Sequence, residues 1–402
     1  MKINVAVMFG GKSVEHEISV ISALQAAEYL NKEKYQVIPI YISKQGKMYT
    51  GEQIGKIAAY KNIDTLLKNS TQIVLTNEDG KVVMTPYPVK FRFSKQKNTV
   101  IDVVLPIVHG TNVEDGTLQG YLKTLGVPFA GCDVLASAVG MDKHVMKLVF
   151  REAGIPVLDS KCFLKTDYID GDEKIISTIE ETFSYPVIVK PVNLGSSVGI
   201  SKANNRDELA ESLDLAFQFA TTVLVEKAIT NLREINCAVL GDIYEAEASE
   251  CEEPLNATDI LSYEDKYMAG GSKSPGGSKG MASLARKIPA DITSEQREYI
   301  RKLAVKAFQA IGGNGVARID FMIDTTDNTI YLNEINTIPG SLSFYLWEPI
   351  GLPYSQLLDK MIKLALKRAR EEAEIVYSFD TNVLGNCSFG SPKAGKLGGK
   401  LG

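Results

Sequence analysis

The sequence is poor in several features that would define a function class. Cysteine is scarce and unpaired: the five residues at positions 132, 162, 237, 251 and 387 are scattered, odd in number and free of any CxxC pair. That supports neither a zinc site nor a disulfide framework and fits reduced thiols in a cytoplasmic protein. No apolar run approaches the length of a membrane span, about 20 residues. Positive charge is not in excess either, since 44 Lys and Arg stand against 49 Asp and Glu for a formal net charge of −5. A nucleic-acid surface or an anionic membrane is therefore not expected as partner. A Walker phosphate loop is missing: Gly10-Gly11-Lys12-Ser13 has the ending of GxxxxGK[ST], but the motif needs glycine where Ala6 stands. No internal repeat is visible. The apolar start, Met1 to Phe9, breaks at once into Gly-Gly-Lys, which predicts a first strand rather than a signal peptide.

What is present is an ordinary globular composition, 45% hydrophobic and 23% charged over 402 residues, enough chain for about two or three domains. Residues 1–132 read as an open-sheet α/β domain. It opens with strand 2–9, a glycine turn and an amphipathic helix from about Glu15 to Leu30, whose N-terminus faces whatever binds there. Residues 36–100 read as an embellishment of short β-like runs, followed by the apolar strand Val103–Val108. Glu114 and Asp115 then read as acids in the first turn of a helix. Residues 133–227 form a second, α+β unit: a helix Met141–Ala153, a strand ending near Lys190, the loop Gly195-Ser196-Ser197-Val198-Gly199, helix 206–219 and strand Val223–Lys227. Residues 228–378 form a third. It carries a strand Glu234–Leu240, a Gly/Ser/Lys-rich stretch at 262–285 that reads as a lid, and a helix opened by the capping box Thr293-Ser294-Glu295-Gln296. A last helix spans about 355–373. The tail 379–402 is small, polar and glycine-rich, and disorder is expected.

The chemistry concentrates between Arg318 and Gly340. Two β-rich runs, Arg318–Asp324 and Tyr331–Asn336, flank a polar turn and read as a hairpin. Alternation puts Arg318 and Asp320 on one face of the first strand, Glu334 and Asn336 on one face of the second. A carboxylate cluster in an apolar sheet is costly unless something positive sits in it, and oxygen ligands of this kind suit Mg²⁺ bound together with phosphates. Lysines that read as strand-ending at Lys143, Lys190 and Lys227, with the Gly-Ser-Ser-x-Gly loop, complete what a triphosphate needs. Bland readings stand beside these. Glu15 could be a helix-dipole acid, His109 a core histidine, Cys237 a strand core residue and Tyr267 a loop aromatic, while His16 and His144 read as solvent-facing.

In order along the chain stand Phe9-Gly10-Gly11-x-Ser13-x-Glu15-His16-Glu17-x-Ser19, His109-Gly110, Glu114-Asp115-Gly116-Thr117-Leu118-Gln119-Gly120, Met141-Asp142-Lys143, Lys190-Pro191, the glycine loop, Asp265-Lys266-Tyr267, Arg318-x-Asp320 and Asn333-Glu334-x-Asn336-Thr337-x-Pro339-Gly340. This ordered set resembles the D-alanine–D-alanine ligases of the ATP-grasp superfamily. The resemblance implies a substrate-binding α/β domain followed by a two-lobed ATP-grasp fold, and ligation of two D-alanines through an acyl phosphate for peptidoglycan precursors. It implies ATP bound by Lys143, Lys190, Ser197, Glu226, Lys227, Glu234, Lys266 and Asn333. Two Mg²⁺ ions, with Mn²⁺ as the alternative, would sit on Asp320, Glu334 and Asn336. Glu15 would anchor the first ammonium, and Glu15, Ser196 and Tyr267 would tie the lid down. Lys266 would reach the γ-phosphate, and Arg318 with a backbone N–H near Gly340 would hold the oxyanion. His109 is counted with the substrate residues, and a cytoplasmic homodimer through the first domain is implied. Tyr267, where ester-forming relatives usually carry histidine, favours an amine nucleophile. The chain departs from the family after Gly340, where Ser341–Trp347 is shorter and more apolar than the usual Ser/Thr-rich run. Ser341, Ser343 or Tyr345 are the substitutes on offer there, and a different second amino acid or a small peptide is the alternative. A catalytically silent ATP-binding protein is the third reading, against which the retained Lys143, Lys190, Asp320, Glu334 and Asn336 argue.

Overall fold

Three sheets carry the chain in the computed structural model, which describes residues 2–88, 98–195, 198–255 and 286–378. The first sheet has the order β6-β5-β4-β3-β2-β1-β7. Its centre is β1 (Ile3–Gly10), paired parallel with β2 (Tyr35–Ile42) and with β7 (Val103–Pro106). Val5 to Phe9 are wholly buried, as the continuous apolar run of a parallel strand covered on both faces requires. The stretch 36–100 is not an embellishment. β3 (Met48–Thr50), β4 (Thr71–Glu78), β5 (Lys81–Pro86) and β6 (Thr99–Ile101) extend the same sheet in antiparallel sequence. The β4–β5 hairpin turns on Asp79 and Gly80, both at positive φ (50° and 79°), the backbone that two-residue hairpin loops favour.

Helix α1 (His16–Tyr29) follows β1 as expected, but it is not amphipathic in the usual sense. Its buried face is small and polar: His16, Ser19, Val20, Ser22, Ala23 and Ala26. The Ser19 hydroxyl accepts from the Gly10 N–H (2.8 Å) and donates to the Ile107 carbonyl (2.6 Å), so the helix docks by hydrogen bonds onto the ends of β1 and β7. His16 is buried, not solvent-facing. Its Nδ1 lies 2.6 Å from the Gly11 carbonyl and its Nε2 2.9 Å from the Tyr41 hydroxyl. His144 is half-buried. The α2 helix (Ile63–Lys68) lies between β3 and β4. The acids at 114–115 are not in a helical first turn. Helix α3 (Thr117–Leu125) starts after left-handed Gly116, and Asp115 turns back to accept from the Asn112 and Thr117 N–H groups.

The expected helix 141–153 is two helices, α4 (Val134–Met141) and α5 (Lys143–Glu152). Asp142 breaks them because its carboxylate accepts from the His144 and Val145 N–H groups, both at 2.9 Å, an N-cap that starts a new helix. Lys143 therefore opens a helix rather than ending a strand. The second sheet is antiparallel, β10-β9-β11-β8: β8 (Ser160–Leu164), β9 (Val187–Pro191), β10 (Ser201–Ala203) and β11 (Thr222–Lys227). Helices α6 (Lys165–Thr182) and α7 (Arg206–Phe219) cover it through Ile176, Ile179, Leu209 and Leu213.

The third sheet is β14-β13-β12-β15-β16, formed by β12 (Leu232–Gly241), β13 (Ala246–Pro254), β14 (Arg286–Lys287), β15 (Gly315–Asp324) and β16 (Thr329–Asn336). Helix α8 (Ser294–Ala310) lies on it, buried through Ile300, Leu303, Ala304, Ala307 and Phe308. Its capping box is formed as expected, Thr293 and Gln296 exchanging 3.1 Å bonds. Helix α9 (Tyr354–Ala373) and Leu342, Leu346 and Trp347 pack into the core of the first sheet, alongside Leu240 and Val316. That shared core brings the end of the hairpin against the glycine turn of the first domain.

Candidate active site

One cavity of about 620 Å³ opens between the three sheets, within the roughly 300–1,000 Å³ of small-molecule sites. The hairpin β15–β16 forms its floor. Register places Asp320 opposite Glu334 and Arg318 opposite Asn336, with an irregularity after Asp320. Arg318 grips Asp320 through Nε–Oδ1 and Nη2–Oδ2 bonds, both 2.6 Å, and the Asn336 amide donates to Asp320 Oδ2 at 3.1 Å. Burial pushes the Asp320 carboxyl up from its ordinary value although Arg318 opposes it. The four residues expected to share a face do so.

Two lysines approach this floor. Lys143 donates to the Leu194 carbonyl (2.7 Å) and lies 3.8 Å from Glu334. Lys190 donates to Asn333 Oδ1 (3.3 Å) and pairs with Glu226 at 2.5 Å. Glu226, 1% exposed, also takes the Lys147 ammonium, which is further held by the Leu158 carbonyl (3.0 Å). Burial alone would raise the Glu226 carboxyl, but Lys190 and Lys147 override it and hold it at about 2. Sequence reasoning missed Lys147. The signal was its spacing, since residues four apart share a helical face and Lys143 precedes it by one turn. Lys227 and half-buried Glu234 line the same wall.

The opposite wall belongs to the first domain. Glu15 and His109 line the cavity, both buried. Burial lowers the His109 imidazole although Glu15 opposes it. Its Nε2 lies 3.4 Å from the Ser22 hydroxyl, which also accepts from the Ser341 N–H (3.1 Å). Glu114 joins them, a residue read from the sequence only as an acid in the first turn of a helix. Its oxygens accept from the Gly110 (3.0 Å) and Ile338 (3.2 Å) N–H groups. Burial, then the charge of Glu15, pushes its carboxyl up to about 8.

Past Gly340, which also lines the cavity, the chain makes a tight 3-10 turn (Gly340–Leu346) in which Ser341, Leu342 and Ser343 all have positive φ, 50°, 53° and 48°. The turn points both serine hydroxyls inward. They are fully buried and without a hydrogen-bond partner among the described residues. Of the three candidates for the second substrate, only Tyr345 lines the cavity. Its ring lies under the Arg286 guanidinium at 3.9 Å and its hydroxyl donates to Glu252 (3.3 Å). Ser196, Ser197, Lys266, Tyr267 and the stretch 262–285 lie outside the described residues.

Among the described residues no three His, Cys, Asp or Glu side chains gather into a metal cluster. Two carboxylates and an amide suit Mg²⁺ all the same, which takes one or two carboxylates and completes its shell with phosphate oxygens and water. No described helix is long and apolar enough to cross a membrane.

Comparison with known proteins agrees with this geometry. The model of the D-Ala–D-Ala ligase N-terminus matches residues 4–132, and that of the ligase C-terminus matches residues 149–363. The D-alanine–D-alanine ligase of Thermosipho africanus is 41% identical over 382 residues, covering 95% of this chain and 98% of the relative. That of Caldicellulosiruptor bescii is 42% identical over 388 residues, covering 94% and 99%. Among solved structures, the D-alanine–D-alanine ligase from Coxiella burnetii superposes with a TM-score of 0.76 at 30% identity, covering 93% of this chain and 96% of that one. The VanG D-Ala:D-Ser ligase from Enterococcus faecalis does so with 0.74 at 33% identity, covering 91% and 100%. The three-sheet architecture is thus the multi-domain α/β ATP-grasp fold. With both halves matched and such relatives spanning nearly the whole chain, this protein belongs to the D-alanine–D-alanine ligase family.

Proposed function

We propose that the protein joins two D-alanines into D-alanyl-D-alanine with ATP, supplying the dipeptide for peptidoglycan precursors. A free carboxylate is a poor acyl donor, because it carries no good leaving group. A carboxylate oxygen of the first D-alanine therefore attacks the γ-phosphorus of ATP, ADP leaves, and an acyl phosphate forms. The amine of the second D-alanine, having given up a proton, attacks the acyl carbon. The tetrahedral oxyanion collapses, the amide forms and inorganic phosphate leaves. The observation that carries this reading is the convergence in one cavity of the acidic floor, Asp320, Glu334 and Asn336, with Lys143 and Lys190, opposite Glu15 and His109.

Lys143 and Lys190 bind the α- and β-phosphates, Glu226 and Glu234 hold adenine and ribose, and Lys227 and Asn333 complete the ATP-binding set. Glu15 takes the ammonium of the first D-alanine, with His109 beside it. Arg318 and the Gly340 N–H face the acyl carbon and hold its oxyanion. Asp320, Glu334 and Asn336 would hold two Mg²⁺ or Mn²⁺ ions, which would supply the positive charge that neutralises the triphosphate. By resemblance Ser197 belongs with the phosphates, Lys266 with the γ-phosphate, and Ser196 and Tyr267 with Glu15 in closing the site against water. That closure protects an acyl phosphate from hydrolysis before the amine arrives. A cytoplasmic homodimer through the first domain is part of the same reading.

The test is purified protein with ATP, Mg²⁺ and D-alanine, followed by phosphate release and dipeptide. Phosphate and dipeptide together are expected, both lost when the divalent ion is chelated. No phosphate with any of a panel of D-amino acids would sink the ligase reading. The apolar segment Ser341–Trp347 and the likeness to a D-Ala:D-Ser ligase favour one second reading, D-alanine joined to a different amine. Phosphate release only when such an amine accompanies D-alanine would select it.

A further inference from the structure

We propose that Lys147 is a positioning residue for nucleotide binding: it keeps the Glu226 carboxylate neutralised so that Lys190 can leave it for the phosphates. The inference rests on the ATP site proposed above and adds to it a residue that touches no nucleotide. Glu226 stands on β11 and Lys190 on β9, antiparallel neighbours whose register pairs Leu224 with Lys190. Residues two apart on a strand share a face, so Glu226 and Lys190 project to the same side, and both line the cavity. Lys147 comes from α5, one turn after Lys143. It is 3% exposed and is not among the residues lining the cavity. It can therefore act on a bound nucleotide only through Glu226.

The carboxylate is divided between the two lysines. Oε1 pairs with Lys190 at 2.5 Å and Oε2 with Lys147, whose ammonium also donates to the Leu158 carbonyl at 3.0 Å. Two ammoniums on one carboxylate repel each other. Burial lowers the Lys147 ammonium from its ordinary value, and the charge of Lys190 adds to that lowering while Glu226 opposes it. Phosphates entering the cavity relieve the crowding: Lys190 turns to them, Lys147 stays, and Glu226 is left one-to-one with a lysine, its Oε1 released for the adenine. Without Lys147 the same move would strand a buried carboxylate, which is costly in a place that water does not reach. Lys190 would then stay on Glu226, and the phosphates would lose one of their two lysines.

Calorimetric titration with ADP and Mg²⁺ tests this, since ADP carries the α- and β-phosphates and offers no γ-phosphate to transfer. Four proteins are compared: unsubstituted, Lys147→Met, Glu226→Gln and the double variant. Lys147→Met alone is expected to weaken ADP binding by about ten- to a hundredfold, the size of one lost charge-assisted contact. In the Glu226→Gln background no carboxylate competes for Lys190, and adding Lys147→Met is expected to change the affinity by about twofold at most. Equal weakening in both backgrounds would make Lys147 a mere support of the fold, and no weakening in either would show that Lys190 moves without it. Either result overturns the proposal. A crystal structure of the unsubstituted protein with ADP and Mg²⁺ tests the same exchange if Lys147→Met does not fold. Lys190 on the phosphates with Lys147 still on Glu226 is expected there, and Lys190 still paired with Glu226 would overturn the proposal. Failure of ADP to bind the unsubstituted protein would instead sink the nucleotide site itself, and the exchange with it.

Discussion

Arg318 and Asp320 stand two residues apart on one strand and hold each other through two parallel 2.6 Å bonds. Each therefore neutralises the other in a place where either alone would be a buried charge. Breaking such a pair from one side costs about 3–5 kcal/mol, whereas removing both members costs much less. Arg318→Met and Asp320→Leu are each expected to lower the unfolding free energy by that order, and the double variant to recover most of it. All three variants are expected to lose dipeptide synthesis. Urea unfolding of the four proteins measures the coupling, and additive single losses would show that the pair is not a unit.

The Lys147–Glu226–Lys190 cluster gives stability a dependence on acid. The folded carboxyl of Glu226 is held at about 2, below its ordinary 4.5. Its contribution is thus present above about pH 4.5 and is lost as pH falls toward 2, amounting to at most about 3 kcal/mol. Burying the Lys147 ammonium, which burial lowers despite Glu226, offsets part of it. Lys147→Met is expected to lower stability at pH 7 and to flatten the loss between pH 5 and about 3. Thermal unfolding across that range checks both.

Much of this was legible because it rests on local rules. The hairpin faces followed from strand alternation, and the capping box at Thr293 from its spelling. The ordered motifs identified the family. What the sequence hid depends on tertiary partners. Asp142 looks like one more helical residue until its carboxylate caps a new helix. His16 looks like an exposed first-turn histidine until Gly11 and Tyr41 enclose it. Residues 36–100 looked like an addition because a sheet edge cannot be recognised before its neighbour is known. Arg286 carried no motif at all; only the fold brings it to Tyr345.

Glu114 makes the opposite prediction at higher pH. Its folded carboxyl is raised to about 8 from 4.5, so folding favours the protonated form. The stabilisation is complete below about pH 4.5 and is lost as pH rises through 8. Since the side chain borders a cavity, about 1–3 kcal/mol is expected rather than the full shift. The stability of the unsubstituted protein should fall between about pH 4.5 and 8, and Glu114→Gln should remove most of that slope. A parallel decline in both proteins would place the titration elsewhere.

The turn after Gly340 supplies a last prediction. Ser341 holds φ at 50°, and its hydroxyl is buried with no partner among the described residues. A left-handed backbone costs an ordinary L-residue about 1–2 kcal/mol, and an orphaned buried hydroxyl adds a desolvation penalty of about 1–3 kcal/mol. Glycine removes both while keeping the Ser341 N–H that donates to Ser22. It gives back up to about 1 kcal/mol through the greater freedom of the unfolded chain. Ser341→Gly is therefore expected to raise the unfolding free energy by about 1 kcal/mol and to leave dipeptide synthesis in place. Had the Ser341 hydroxyl held the second substrate, the same variant would gain stability and lose turnover. Measuring both properties on one variant therefore separates a strained structural turn from a binding loop.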